Sequence, residues 1–244
     1  MQSYGEREIE TVSTEDLYEF LHGLTTHAAR STARLRYAQL TALFAFAIER
    51  LGLRTSNPCQ SPLLRKTFRV PKPAPRQILD RDTVDELIYR TTDLRTRLLL
   101  ELQARCGLRI GEALGLTAAA VEGRKLCLAT PKSGHPEVAF MPVRVAERLH
   151  RYLVEQGRRP EEQIFRLSYS GARALITRAA AQIGITLTPH DLRRHAATFA
   201  SRSGVPLEIV SKVVLRHKNL RTTQVYLGRV LDGEALRWMD ILYG

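Results

Sequence analysis

Along most of the chain, apolar positions recur three or four residues apart, the spacing of helices with one buried face. Ser13 or Thr14, followed by Glu15 and Asp16, opens a short helix holding Leu17, Phe20 and Leu21. A longer helix is predicted from about Ser31 to Leu51, with Leu40, Leu43, Phe44, Ala47 and Leu51 on its apolar stripe; Gly52 and Asn57-Pro58 end it. Asp80 or Asp82 caps a helix marked by Val84, Leu87 and Ile88. Leu94, Leu98, Leu99, Leu102 and Cys106 make the next stripe, which Gly107 breaks. Arg109 begins a short helix with Glu112 at i+3, placed to hold the guanidinium's direction. Val145, Leu149 and Leu153 mark another helix. Ser170 caps one more, in which Leu175, Ile176, Ala179 and Ile183 face inward before Gly184.

Two stretches have β-compatible residues instead. Lys125 to Thr130 and Glu137 to Met141 flank Pro131-Lys132-Ser133-Gly134-His135-Pro136 and read as a hairpin with Lys132 near its turn. The expected fold is mainly α with a small antiparallel β-sheet. Residues 65–76, RKTFRVPKPAPR, hold three prolines and five basic residues. An extended chain of that kind rises ~3.1 Å per residue and spans on the order of 35 Å. It is either a linker that follows a duplex or a solvated tether. The predicted organisation is therefore an N-terminal helical domain over 1–64, a basic linker over 65–76 and a second domain over 77–244.

Charge narrows the partners. Lys and Arg outnumber Asp and Glu by 37 to 25, for a net charge of +12 and a sequence pI near 10.1, as expected of a nucleic-acid binder. Cys59, Cys106 and Cys127 are odd in number and widely spaced, which argues against a disulfide framework or a structural metal. No apolar run approaches the ~20 residues of a membrane span, and MQSYGEREIE has no signal-peptide pattern. The expected location is the cytoplasm, in association with the nucleoid when on DNA, and no membrane partner is expected.

The candidate chemistry sits in residues 188–226, TPHDLRRHAATFASRSGVPLEIVSKVVLRHKNLRTTQVY. Thr188 and Pro189 form a helix start. His190 and Arg193 then share a face at i and i+3, where they can converge on one phosphate. Gly204 stops that helix before Pro206. A second helix, roughly Leu207 to Leu215, delivers His217, and Tyr226 follows nine residues later after Thr222, Thr223 and Gln224.

This order, H-x-x-R, then a histidine, then a tyrosine, resembles the catalytic box of the tyrosine recombinases, or phage-type integrases, and is Xer-like. Arg109 in CGLRIGEALGL and Lys132 in TPKSGHPEVAFMP stand where that family keeps its first arginine and its lysine. The resemblance implies a two-domain DNA clamp: a helical core-binding domain joined to a catalytic domain. It implies DNA cleavage and rejoining through a 3′-phosphotyrosyl link, with integration, excision and replicon-dimer resolution all open as tasks. In that reading Tyr226 is the nucleophile, helped by His190. Arg109 and Arg193 hold the phosphate, with Glu112 in support, Lys132 protonates the leaving 5′ oxygen and His217 hydrogen-bonds the phosphate. No metal and no other cofactor is expected. Arg30, Arg34, Arg36, Arg65, Lys66, Arg69, Lys72, Arg76, Arg194 and Arg216 are the expected DNA contacts. The expected assembly on double-stranded DNA is a homotetramer; the short amphipathic tail that includes Leu231, Ala235, Trp238, Met239 and Leu242 either docks onto a neighbouring protomer, as the resemblance implies, or packs on its own domain. Two rival readings are relaxation of DNA in the manner of a type IB topoisomerase, and a non-catalytic DNA-binding protein that kept the fold.

Two departures from the family pattern stand out. Relatives generally carry another long helix before the segment matching Thr14, so either this domain is reduced or the chain lacks its natural start. The family's usual Leu-Gly-His is Leu215-Arg216-His217 here. An arginine is less at ease than glycine at positive φ, so the turn is either altered or strained, or it adds a phosphate contact.

Overall fold

The computed structural model describes residues 8–69, 78–128, 137–217, 219–227, 236 and 239–241; of Val225 and Tyr226 it describes the backbone alone. The chain divides into two compact units, Met1–Arg76 and Gln77–Gly244.

In the first unit, a 3-10 turn at Ile9–Thr11 precedes α1 (Thr14–Thr25), α2 (Arg30–Leu51) and α3 (Pro62–Thr67). Ser13 caps α1: its Oγ accepts from the Asp16 N–H at 3.1 Å, and the Asp16 carboxylate accepts from the Ser13 N–H at 3.0 Å. Gly52, at φ 62, closes α2 in the left-handed region. Leu17, Leu21, Tyr37, Phe44, Cys59, Leu64 and Phe68 form the core. The Tyr37 hydroxyl donates to the Cys59 carbonyl at 2.6 Å, and Asn57 Nδ2 to that of Thr41 at 2.9 Å, so the loop after α2 is tied back onto it.

Two expectations change here. The buried stripe of α2 runs through Tyr37 and Phe44 with Leu40 beside them, while Leu43 and Leu51 are exposed. One residue along a helix is a rotation of about 100°, and the face turned to α1 and Cys59 is that of Tyr37. The linker also begins later than residue 65. Arg65 and Lys66 belong to α3, and Phe68 is buried against the Tyr37 ring, with centroids 5.5 Å apart. Lys72 and Arg76 lie outside the described residues.

The second unit is built around α5 (Leu94–Ala104), whose residues Leu98 to Ala104 are all buried. Around it pack α4 (Arg81–Arg90), α6 (Ile110–Gly115), α7 (Val143–Glu155), α8 (Tyr169–Ala181) and α9 (Pro189–Arg202). Even Glu101 is enclosed; Arg148 pairs with its carboxylate at 3.2 Å. Asp80 caps α4 by accepting from the Thr83 N–H at 2.7 Å. Ser168, not Ser170, caps α8, its Oγ accepting from the Gly171 N–H at 3.1 Å.

The expected hairpin is present as β2 (Lys125–Leu128) and β3 (Glu137–Phe140), antiparallel, with Lys125 opposite Phe140 and Leu128 opposite Glu137. A two-residue strand, β1 (Val121–Glu122), extends it into a three-stranded sheet. The turn holding Lys132 lies outside the described residues.

After α9 the segment expected as one helix from Leu207 to Leu215 is divided. A short α10 (Leu207–Ile209) widens into a π-helical stretch, Val210–Val214, and the Leu215 N–H reaches back five residues to the Val210 carbonyl at 2.9 Å. Next comes α11 (Leu220–Leu227), packed on α9 and on the π stretch. Of the tail, Leu231, Ala235, Trp238 and Leu242 lie outside the described residues; Leu236, Met239 and Ile241 are exposed. Among the described residues, no helix is long and apolar enough to cross a membrane.

Candidate active site

Three segments distant in sequence meet at one edge of α5: the turn at Gly107–Arg109, the start of α9, and the end of the π stretch. Arg109 occupies the N-cap position of α6. Its N–H donates to Glu112 Oε2 at 2.8 Å and its guanidinium pairs with Glu112 Oε1. The Arg109 side chain remains 48 % exposed, so it can still meet a ligand.

Glu112 gathers more than this one arginine. Arg216 Nη2 donates to its Oε2 at 2.9 Å, and Arg193 Nη1 stands 3.7 Å from the same oxygen. Burial acts to raise the Glu112 carboxyl, but Arg216, the Arg109 N–H and the Arg109 guanidinium outweigh it and hold it below the usual carboxylate range.

Arg193, on the second turn of α9, is 1 % exposed, and its guanidinium donates to the carbonyls of Gly107 and Leu215. It therefore bridges the turn before Arg109 to the turn before His217. His190, three residues earlier on α9, is exposed. The start of α9 is held by Asp191, whose carboxylate accepts from the Thr188 N–H at 2.8 Å and the Thr188 hydroxyl at 2.7 Å. His195 faces elsewhere, its Nδ1 2.9 Å from the Leu79 carbonyl and its ring stacked on Phe199. Arg194 is half-buried.

His217 is anchored by a relay that sequence reading missed. Its Nδ1 lies 2.9 Å from Thr223 Oγ1, and the Thr223 hydroxyl donates to Ser211 Oγ at 2.9 Å. Since that hydroxyl's one proton points to Ser211, the proton between Thr223 and the ring belongs to Nδ1. Partial burial, then the positive charges of Arg193, Arg109, Arg216 and His190, lower the ring's pKa to about 4. Ser211 and Thr223 stand six residues either side of His217, a symmetry without regular helical spacing.

Arg216 corrects the expectation of a DNA contact. It takes the positive φ that the family's glycine would take, 51°, but its side chain turns inward and is 4 % exposed. Its donors go to protein acceptors: Nη1 to the carbonyls of Val213 at 3.3 Å and Val214 at 2.9 Å, and Nη2 to Gly107 at 2.9 Å as well as to Glu112.

Tyr226 lies on α11, one turn beyond Thr223; its side chain, like all of Lys132, falls outside the described residues. In the first unit, Arg30, Arg34, Arg36, Arg65, Lys66 and Arg69 are exposed. Arg34, Arg65 and Arg69 border one groove of about 680 Å³ whose floor is Tyr37, Ala38, Thr41, Ala42 and Ala45. Among the described residues, no group of three or more His, Cys, Asp or Glu could hold a metal ion.

Residues 77–229 match the Phage integrase family. The tyrosine recombinase XerD of Pseudomonas aeruginosa is 31% identical over 223 residues, which cover 82% of this chain and 71% of that protein. The tyrosine recombinase XerA of Saccharolobus solfataricus is 25% identical over 227 residues, covering 91% of this chain and 76% of the relative. In fold, the chain is similar to the Tn1549 transposon integrase, solved in complex with circular intermediate DNA, with a TM-score of 0.71 at 18% identity over 96% of this chain and 87% of that one. The chain belongs to the phage integrase family of tyrosine recombinases.

Proposed function

We propose that the protein is a site-specific DNA recombinase that cleaves and rejoins double-stranded DNA through a 3′-phosphotyrosyl intermediate. One observation carries the reading: His217, bonded to Thr223 of the helix that bears Tyr226, lies in the combined field of Arg109, Arg193 and His190.

The chemistry follows from charge. Displacement at a phosphodiester builds negative charge on the non-bridging oxygens, so fixed donors there stabilise the transition state. Arg109 and Arg193 keep their charge at any working pH; the half-exposed Arg109 offers a forked donor, and the buried Arg193 adds its positive charge beside it. The Tyr226 phenol has an ordinary pKa of ~10 and needs help to ionise; His190 takes its proton. The phenolic oxygen forms the new P–O bond, the P–O5′ bond breaks, and Lys132 gives its proton to the departing 5′ oxygen. His217 already holds a proton on Nδ1, so it donates to a phosphate oxygen only once Nε2 is protonated too. The anionic phosphate favours that second proton. Because the covalent link conserves the bond's energy, the reverse attack by a 5′ hydroxyl rejoins the strand without ATP.

In this reading the exposed arginines of the first unit, Arg30, Arg34, Arg36, Arg65 and Arg69, with Lys66, contact DNA phosphates. The C-terminal tail, with Leu236, Met239 and Ile241 exposed, joins protomers into a tetramer on DNA. The test is a nicked half-site DNA incubated with the protein and run on a denaturing gel. A covalent adduct that forms with the wild type and is absent with Tyr226→Phe supports the reading. An adduct that persists in that variant overturns the nucleophile assignment.

A further inference from the structure

Arg216 stands at a positive φ with its side chain turned inward and 4 % exposed. An L-residue held at φ 51 is strained, and such strain persists only where surrounding bonds over-determine it. The bonds are on view. One guanidinium reaches the Val213 and Val214 carbonyls at the end of the π stretch, the Gly107 carbonyl before Arg109, and the Glu112 carboxylate that orients Arg109. Its Nε lies 3.9 Å from Glu137 Oε2 on β3. Every one of these acceptors belongs to an element that delivers or borders a candidate catalytic side chain.

We propose that Arg216 is a positioning residue: it clamps the Gly107 turn and Glu112 to the turn carrying His217, and so fixes Arg109 and His217 relative to one another. The inference deepens the recombinase reading and rests on it. Arg193 already joins Gly107 to Leu215; Arg216 extends that tie to the Val213 and Val214 carbonyls and to the Glu112 carboxylate. The planar fork is essential to this, because a single ammonium cannot span acceptors on both sides. A glycine at 216 would relax the backbone and remove the clamp.

The experiment uses Arg216→Gly, which the positive φ tolerates, and Arg216→Lys, which keeps the charge. Binding and single-turnover cleavage of the nicked half-site are measured separately, together with amide hydrogen exchange of the free protein. For Arg216→Gly the expected result is DNA affinity within about threefold of wild type but cleavage at saturating DNA slower by about 10- to 100-fold, the range for a displaced orienting partner. Lysine fails to restore the rate. Exchange rises together, at least about tenfold, in residues 107–112 and 213–217 as their opening becomes easier. Unchanged cleavage at saturating DNA with weaker binding would make Arg216 a phosphate contact and overturn the proposal. So would unchanged cleavage with a loss of thermal stability alone, or faster exchange in one segment without the other. If the wild type forms no adduct, the recombinase reading fails, and the paired exchange still decides whether Arg216 clamps the two turns.

Discussion

A β-carbon built on Gly107 would stand 2.5 Å from the carbonyl oxygen of Val214 and 2.9 Å from its Cγ1. The turn before Arg109 thus meets the end of the π stretch backbone to backbone, at a φ of +64. Gly107→Ala is expected to lose at least about 2 kcal/mol, the left-handed strain of about 1–2 kcal/mol plus the displacement of Val214. Gly184→Ala supplies the comparison, since Gly184 has φ +72 but nothing within 4 Å, and should show the strain alone. Urea unfolding of the two variants decides it; equal losses would mean that the Val214 contact adds nothing.

Among the described residues, Glu112 is the one carboxylate paired with three guanidiniums, two of them buried. Removing its charge takes the shared counterion from both buried guanidiniums and leaves Arg216 only the Glu137 carboxylate at 3.9 Å, and Glu112→Gln is expected to lose about 3 kcal/mol at pH 7. The sign with pH follows from the lowered carboxyl pKa. The charge stabilises above the unfolded value of ~4.3, and its contribution is lost as pH falls through the folded value. The stabilities of the wild type and the Glu112→Gln variant should therefore converge as the pH is lowered below that unfolded value. A gap of the same size in acid as at neutral pH would show that shape, not charge, is what Glu112 supplies.

His217 carries a second pH signature. With a folded pKa of about 4 against an unfolded ~6.5, the fold favours the neutral ring. Acidification from about pH 6.5 toward 4 therefore protonates the unfolded chain preferentially and removes stability. Thermal unfolding across that range should fall less steeply in His217→Asn than in wild type. Thr223→Val takes the ring's anchor away and is expected to slow cleavage by roughly 10- to 100-fold, as loss of the partner that orients a functional histidine does, with DNA affinity unchanged.

The arginines around the first unit's groove predict a salt effect. Each phosphate neutralised contributes about 0.9 to the slope of log affinity against log salt. Combined replacement of Arg34, Arg65 and Arg69 by Gln should lower that slope by between about 2 and 3. Fluorescence anisotropy over a salt series measures it, and a slope within error of wild type would remove the groove from the DNA contacts.

The local grammar of the fold was legible in the sequence, and so was the family. The Ser13 and Asp80 caps, the Gly52 stop and the Arg109–Glu112 pair at i+3 all depend on neighbours a few residues away, and they stand as read. What was not legible depends on which way a side chain turns. Arg216 reads as a surface charge until its acceptors, contributed by residues over a hundred positions earlier, are in place. Ser211 and Thr223 look like ordinary polar residues until the widened turn brings them to His217. Leu43 and Phe44 are equally apolar, and only the packing of α1 and Cys59 selects between them.

The π stretch also sets a phase. One extra residue in a turn rotates everything downstream by about 100° and advances it by ~1.5 Å relative to a plain helix. Val210–Val214 thus acts as a vernier between α9 and the histidine. A single-residue deletion there would yield a more regular helix while swinging Arg216 away from Gly107 and His217 away from Thr223. In this segment regularity and competence are opposed, and the irregular turn is the calibrated one.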